Sequence, residues 1–168
     1  MNPDYAPPAT LPALLRALLT TSHERHWDMR QLVSGLPREA LDWRPAPEAA
    51  SPGGLVLHIV DVELYVARLA AGIEAPWAGE NGSRMDESGD CEELLAAIDA
   101  ADQQLKEALA GLTAERLESA GPGGEGTLGE ALAGDLDHSA MHYGHLQLTR
   151  HLWEASHPRW ESGYIHWR

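Results

Sequence analysis

Leucines recur through the first part of the chain at helical spacing: Leu11, Leu14, Leu15, Leu18 and Leu19, resumed by Met29, Leu32 and Val33. Apolar positions three and four apart share one helix face. The pattern predicts a helix capped by Thr10 and stopped near Ser34-Gly35. Within it, His23, His26 and Asp28 read as a solvated rim, with His26 the one able to turn inward beside Met29. A single helical turn is expected at Pro37 to Leu41, and the prolines of Trp43-Arg44-Pro45-Ala46-Pro47 then forbid regular structure.

Ser51-Pro52 opens a second helix, with a hydroxyl cap followed by proline at the first helical position, and Gly72 ends it. Its stripe is Leu55, Ile59, Val62, Val66 and Leu69, with His58 and Tyr65 on or beside it. Residues 73–89 form a loop containing Trp77. Asp90 and Glu93 then make a capping box for a third helix carrying Leu94, Leu95, Ile98, Leu105 and Leu109. A short turn is expected at Thr113 to Leu117. The glycine-rich run 121–126 lacks the Lys and Ser/Thr of a phosphate loop and follows no strand, so nucleotide binding is excluded there. Thr127 and Glu130 cap a fourth helix that starts at Leu128 and reaches Trp153 to Ala155, with Pro158 opposing continuation.

Nowhere does the chain show the period-two alternation of strands. Four long amphipathic helices predict an all-α four-helix bundle, one domain over 1–168 with an aromatic C-terminal tail at 157–168. The tail holds Trp160, Tyr164 and Trp167, and is expected to pack on the bundle or on a second subunit. Connections of roughly fifteen residues or more are longer than antiparallel neighbours need, which allows a crossover.

Composition sharpens this in three places. The formal charge of −14 leaves no basic surface for nucleic acid or an anionic membrane. Cys91 is the single cysteine, so no internal disulfide forms and no thiolate cluster can hold a metal. The N-terminal residues lack the pattern of a signal peptide and no apolar run reaches the ~20 residues of a membrane span. A cytoplasmic location is therefore expected.

The fourth helix carries the candidate chemistry. Its expected inward seam is Leu128, Leu132, Asp135, His138, His142, His145, Thr149 and Leu152. A buried polar group without a partner costs about 1–3 kcal/mol, so three histidines on one inward face call for a ligand. Imidazoles four residues apart on a helix can hold one metal ion. Ser139 follows His138, so the H-E-x-x-H pattern of zinc proteases is absent. His58, set in the apolar context Leu55-Val56-Leu57-His58-Ile59-Val60, is the best third ligand. A seam that merely faces solvent at the bundle mouth is the competing reading.

Three segments in order, Leu41-Asp42-Trp43-Arg44-Pro45-Ala46-Pro47, Leu55-Val56-Leu57-His58 and His138-Ser139-Ala140-Met141-His142-Tyr143-Gly144-His145-Leu146, resemble the DinB/YfiT-like family of metal-dependent enzymes. The resemblance implies a bundle with up-down-down-up topology and a crossover, usually dimeric, with a divalent ion on three histidines. The matching positions are His58, His138 and His142. His145 stands where the family usually has Gln.

Three neutral imidazoles leave a coordination position open, the catalytic type of site. Zinc or nickel is expected, with iron also accepted by such ligands. The resemblance implies metal-assisted hydrolysis of a small molecule, or transfer of a low-molecular-weight thiol onto an electrophile. His145, Asp61 and Tyr65 are the acid–base candidates, and Asp135, one turn before His138, is the carboxylate placed to orient a ligand. The alternative is a non-catalytic, stress-linked dimeric metal-binding protein in which His145 completes a saturated ion.

Overall fold

The protein is described from a computed structural model, which covers residues 5–73 and 84–157. The expected loop around Trp77 and the aromatic tail with Trp160, Tyr164 and Trp167 lie outside these residues. Six α-helices are formed among them: α1 (Ala13–Val33), α2 (Arg38–Asp42), α3 (Pro52–Ala71), α4 (Cys91–Leu109), α5 (Ala114–Leu117) and α6 (Leu128–Ser156). The long ones, α1, α3, α4 and α6, make the bundle.

Local chemistry sets most of the boundaries. The Ser51 side chain accepts from the Gly54 N–H at 3.1 Å, with Pro52 at the first helical position. The Asp90/Glu93 and Thr127/Glu130 boxes are both closed, each side chain satisfying the other residue's backbone N–H. Gly72 ends α3 at φ +72°, a left-handed conformation that glycine adopts without steric cost. One start differs from expectation. Thr10 does not cap α1; Pro12 holds the cap position with ψ 145°, and its ring carries no oxygen that could accept from the first turn.

Around the bundle the order is α1, α4, α3, α6, so α1 and α3 lie on one diagonal. Residue pairs give the directions. His23 meets Asp102 while Cys91 donates to the Val33 carbonyl, so α1 and α4 run antiparallel. Arg25 reaches the Leu136 carbonyl and Arg150 those of Gln31 and Leu32, so α1 and α6 run parallel. Gly53 abuts Ser88 and Arg68 donates to Gln104, so α3 and α4 are also parallel. The topology is up-down-down-up. The chain leaves α3 at Gly72, at one end of the bundle, and residues 84–88 lie at the other end, packed on the start of α3. A Cβ at Gly54 would collide with the Met85 carbonyl, so this approach depends on glycine.

The core is divided. One apolar cluster gathers Met29, Leu32, Val56, Ile59, Leu94, Ile98, Leu146 and Trp153. The other gathers Leu15, Leu19, Ala67, Leu105, Leu109, Leu128 and Leu132. Between them every long helix contributes a polar side chain: Ser22 and His26 from α1, Glu63 from α3, Asp102 from α4, Ser139 from α6. His26 and Glu63 face one another across the diagonal with 2.6 Å between Nε2 and Oε2, each side chain 2% exposed.

The seam of α6 is also corrected. Leu128, Leu132 and Thr149 of the expected seam are buried, but Ser139, Leu146 and Trp153 are buried in place of His138, His145 and Leu152, each one residue further on. Leu152 and His145 are exposed. One residue is a rotation of about 100°, so the histidines flank the seam rather than fill it. The physical reason is that Leu146 and Trp153 offer more apolar surface than the histidine line, and the burial of that surface sets the helix rotation.

Candidate metal centre

The site forms where α3 and α6 run side by side in opposite directions. His58 lies in the second turn of α3, whose depth is fixed by the Ser51 cap. His138 and His142 project from adjacent turns of α6 toward it. One ring nitrogen from each of His58, His138 and His142 lies within 4.8 Å of the others. The His58 and His138 Nε2 atoms are 3.2 Å apart. The rings meet edge to face, with centroids 4.6 Å apart for His58 and His142 and 4.5 Å for His138 and His142.

These residues fit a divalent ion. Two imidazole nitrogens about 2.0–2.1 Å from a tetrahedral ion are separated by roughly 3.3 Å, close to the His58–His138 spacing. Each ring must also be neutral to offer a lone pair. His58 is pushed down to about 4 by burial and by His138. His142 is pushed down to about 4 by burial and by the three neighbouring histidines. Burial lowers His138 as well, with Glu63 opposing the shift. The Nδ1 atoms of His58 and His138 are enclosed without a hydrogen-bond partner among the described residues.

His145 is not part of this triplet. It is exposed, and its Nδ1 lies 3.4 Å from that of His142. Asp61, one turn beyond His58, pairs with Arg84 at 3.3 Å, and burial raises its pKa against that pairing. Tyr65 is half-buried two turns beyond His58. Asp135 lies one turn before His138, but the two do not bond each other: Asp135 Oδ1 and His138 Nδ1 are both enclosed and unpartnered. Burial, reinforced by Glu63, pushes the Asp135 carboxyl up to about 8.

The buried polar layer begins next to the histidines. Ser139, beside His138 in sequence, donates to Glu63 Oε1 at 2.5 Å. Glu63 meets His26, whose Nδ1 lies 3.4 Å from Asp102, and Asp102 also holds His23 at 2.9 Å and Lys106 at 2.5 Å. A continuous polar chain thus crosses from α6 to the α1–α4 surface. Glu63 and Ser139 were not among the residues expected from sequence. Their signal was present: Glu63 interrupts the otherwise apolar line Val56, Val60, Ala67 and Ala70.

A cavity of about 370 Å³ adjoins the centre, reaching His142 and His145 on one side. The remaining wall includes Leu55 of α3, Leu148 and Leu152 of α6, and Met85.

An up-down-down-up bundle with three histidines converging from two antiparallel helices defines a class of candidate metal-binding helical proteins. The family model of the DinB superfamily matches residues 22–146, and the chain belongs to that superfamily. The chain is similar in fold to the crystal structure of a DinB-like protein, YjoA, from Bacillus subtilis. That likeness has a TM-score of 0.67 at 16% identity and covers 90% of this chain and 97% of the other. No curated protein matches the sequence. No described helix is long and apolar enough to cross a membrane.

Proposed function

We propose that the protein is a divalent-metal-dependent enzyme acting on a small molecule, with His58, His138 and His142 holding the ion. The observation that carries this reading is the convergence of three neutral imidazoles beside a cavity that reaches one of them. When bound, a divalent ion supplies Lewis acidity that activates water or a low-molecular-weight thiol for attack. Zinc or nickel suits three imidazoles best, and iron is compatible. The chain's own residues supply the rest. Burial keeps the ligands unprotonated, Leu55 and Met85 exclude water from one side, and His145 stands beside His142 at the cavity edge, able to accept or donate a proton there. The exposed position of His145 favours an ion with three protein ligands over a saturated, non-catalytic one. A homodimer in the cytoplasm belongs to the same reading.

Elemental analysis after loading with zinc or nickel tests it. About one equivalent is expected in the parent chain and a loss of most of it in His138→Ala and in His142→Ala. Unchanged metal content in both variants overturns the assignment. With metal content settled, ester hydrolysis and thiol addition to a haloarene distinguish the two reactions, each against the metal-free protein. Sedimentation equilibrium tests the dimer.

A further inference from the structure

The cavity beside the histidines has a chemistry of its own. Among the described residues, no Asp, Glu, Lys or Arg side chain lines it. Its polar side chains are His142, His145 and Thr149, all from α6. Leu148 and Leu152 come from the same helix, Leu55 from α3, Met85 from the segment before α4, and Pro45, Ala49 and Ala50 from the connector before α3. Arg44 of the connector is not among the lining residues and is engaged by Asp86 at 3.0 Å and by the Ala49 carbonyl at 3.3 Å. About 370 Å³ is near the lower end of the ~300–1,000 Å³ range of ligand sites.

From this we infer that the cavity takes a small uncharged molecule with an apolar alkyl or aryl body and one polar head. The apolar body lies against Leu55, Met85, Leu148 and Leu152, and the head points to His142 and His145. A charged body is rejected, because moving an ion out of water into a wall without a counter-ion is costly. A thiol with a charged body therefore does not occupy this cavity; if such a thiol is the second reactant, it approaches from another side. The inference deepens the metal-enzyme reading and rests on it for which end of the ligand reacts, but the binding itself does not need the ion.

Methyl NMR of the full-length, metal-free protein tests it, with benzyl alcohol, benzoate and benzylammonium as probes. Benzyl alcohol is expected to shift the methyl signals of Met85, Leu148 and Leu152 saturably, and both ionic probes to bind at least about tenfold more weakly. Leu148 is 57% exposed, so Leu148→Asp leaves the core intact. That variant is expected to lose at least about fivefold in benzyl alcohol affinity and to prefer benzylammonium. The inference is overturned if no methyl shift saturates, if benzoate binds as well as the alcohol, or if Leu148→Asp leaves the order unchanged. Shifts of the same methyls on dilution without any probe overturn it too, by showing that a second copy of the chain covers the cavity. Failure of the metal reading has a separate signature, metal content insensitive to His138→Ala and His142→Ala.

Discussion

His58 and His138, 80 positions apart in the chain, bring their Nε2 atoms to 3.2 Å. Only one proton can sit between two neutral rings at that distance. Both Nδ1 atoms are enclosed without partners, so neither tautomer choice satisfies every ring nitrogen. A cation accepts both Nε2 lone pairs at once. Metal is therefore expected to stabilise the fold, by about 2.7 kcal/mol at a hundredfold excess over Kd, which corresponds to a rise in Tm of roughly 5–10 °C. Thermal melts in zinc and in chelator measure this. His58→Ala should melt at the same temperature in both, and an undiminished zinc shift in that variant would place the ion elsewhere.

The His26–Glu63 pair is completely enclosed, so its partners depend on each other. Removing Glu63 alone leaves a buried imidazole with only the longer 3.4 Å contact to Asp102, a change that costs up to about 3–5 kcal/mol. Glu63→Leu should accordingly shift the urea midpoint strongly downward. Replacing both, as His26→Leu with Glu63→Leu, should recover part of that loss, because no ionisable group is then left stranded. A double variant less stable than Glu63→Leu by the full cost of His26→Leu alone would show that the two sites act independently.

The same pair gives the protein a pH window. Burial alone would lower His26, but Glu63 and Asp102 outweigh it and raise it to about 9. Stability from a raised histidine is complete below its unfolded value near 6.5 and is lost as pH rises through about 9. Glu63 moves the opposite way: burial raises it, but His26, Ser139 and Arg25 bring it below its ordinary value. Its contribution is present above about 4.5 and is lost as pH falls through the depressed value. Asp135, raised to about 8, adds a further loss between roughly 4 and 8, where the unfolded chain has released a proton that the fold retains. Metal-free protein should thus lose stability steadily from pH 6 to 9.5 in urea titrations. Asp135→Asn should flatten the part of the slope below pH 8, and an unchanged slope there would exclude Asp135 as its source.

Caps and apolar periodicity were enough to place the helices, since Ser51, Asp90 and Thr127 each satisfy a local backbone group that no tertiary contact needs to supply. The His138 and His142 spacing was legible for the same reason: four residues on a helix is a local fact. The rotation of α6 was not, because it depends on which of two adjacent lines packs better against α1, α3 and α4. A heptad line through His145 and Leu152 and one through Leu146 and Trp153 differ by a single residue in the sequence. The polar layer was less legible still. Glu63, His26, Asp102 and Ser139 come from four helices, and each alone resembles an ordinary surface residue or a rim position. Only the diagonal packing of α1 against α3 makes His26 and Glu63 neighbours.

His145 tests how far the centre extends. Its exposed ring touches His142 at 3.4 Å through Nδ1, a contact too long to fix the ligand's orientation firmly. His145→Gln, which keeps a polar side chain but removes the imidazole, should leave metal content at the parent level. The change in folding stability should stay within about 0.5 kcal/mol, as for surface substitutions away from core and caps. Competition with a chromogenic chelator gives the affinity directly. A fall of tenfold or more in the variant would make His145 a fourth ligand, and the ion would then be saturated by the protein. An unchanged affinity, together with a changed pH profile for whichever reaction the loaded protein performs, would assign His145 to proton transfer at the cavity edge. The two outcomes separate a ligand from a proton carrier because only the first changes the free energy of binding the ion.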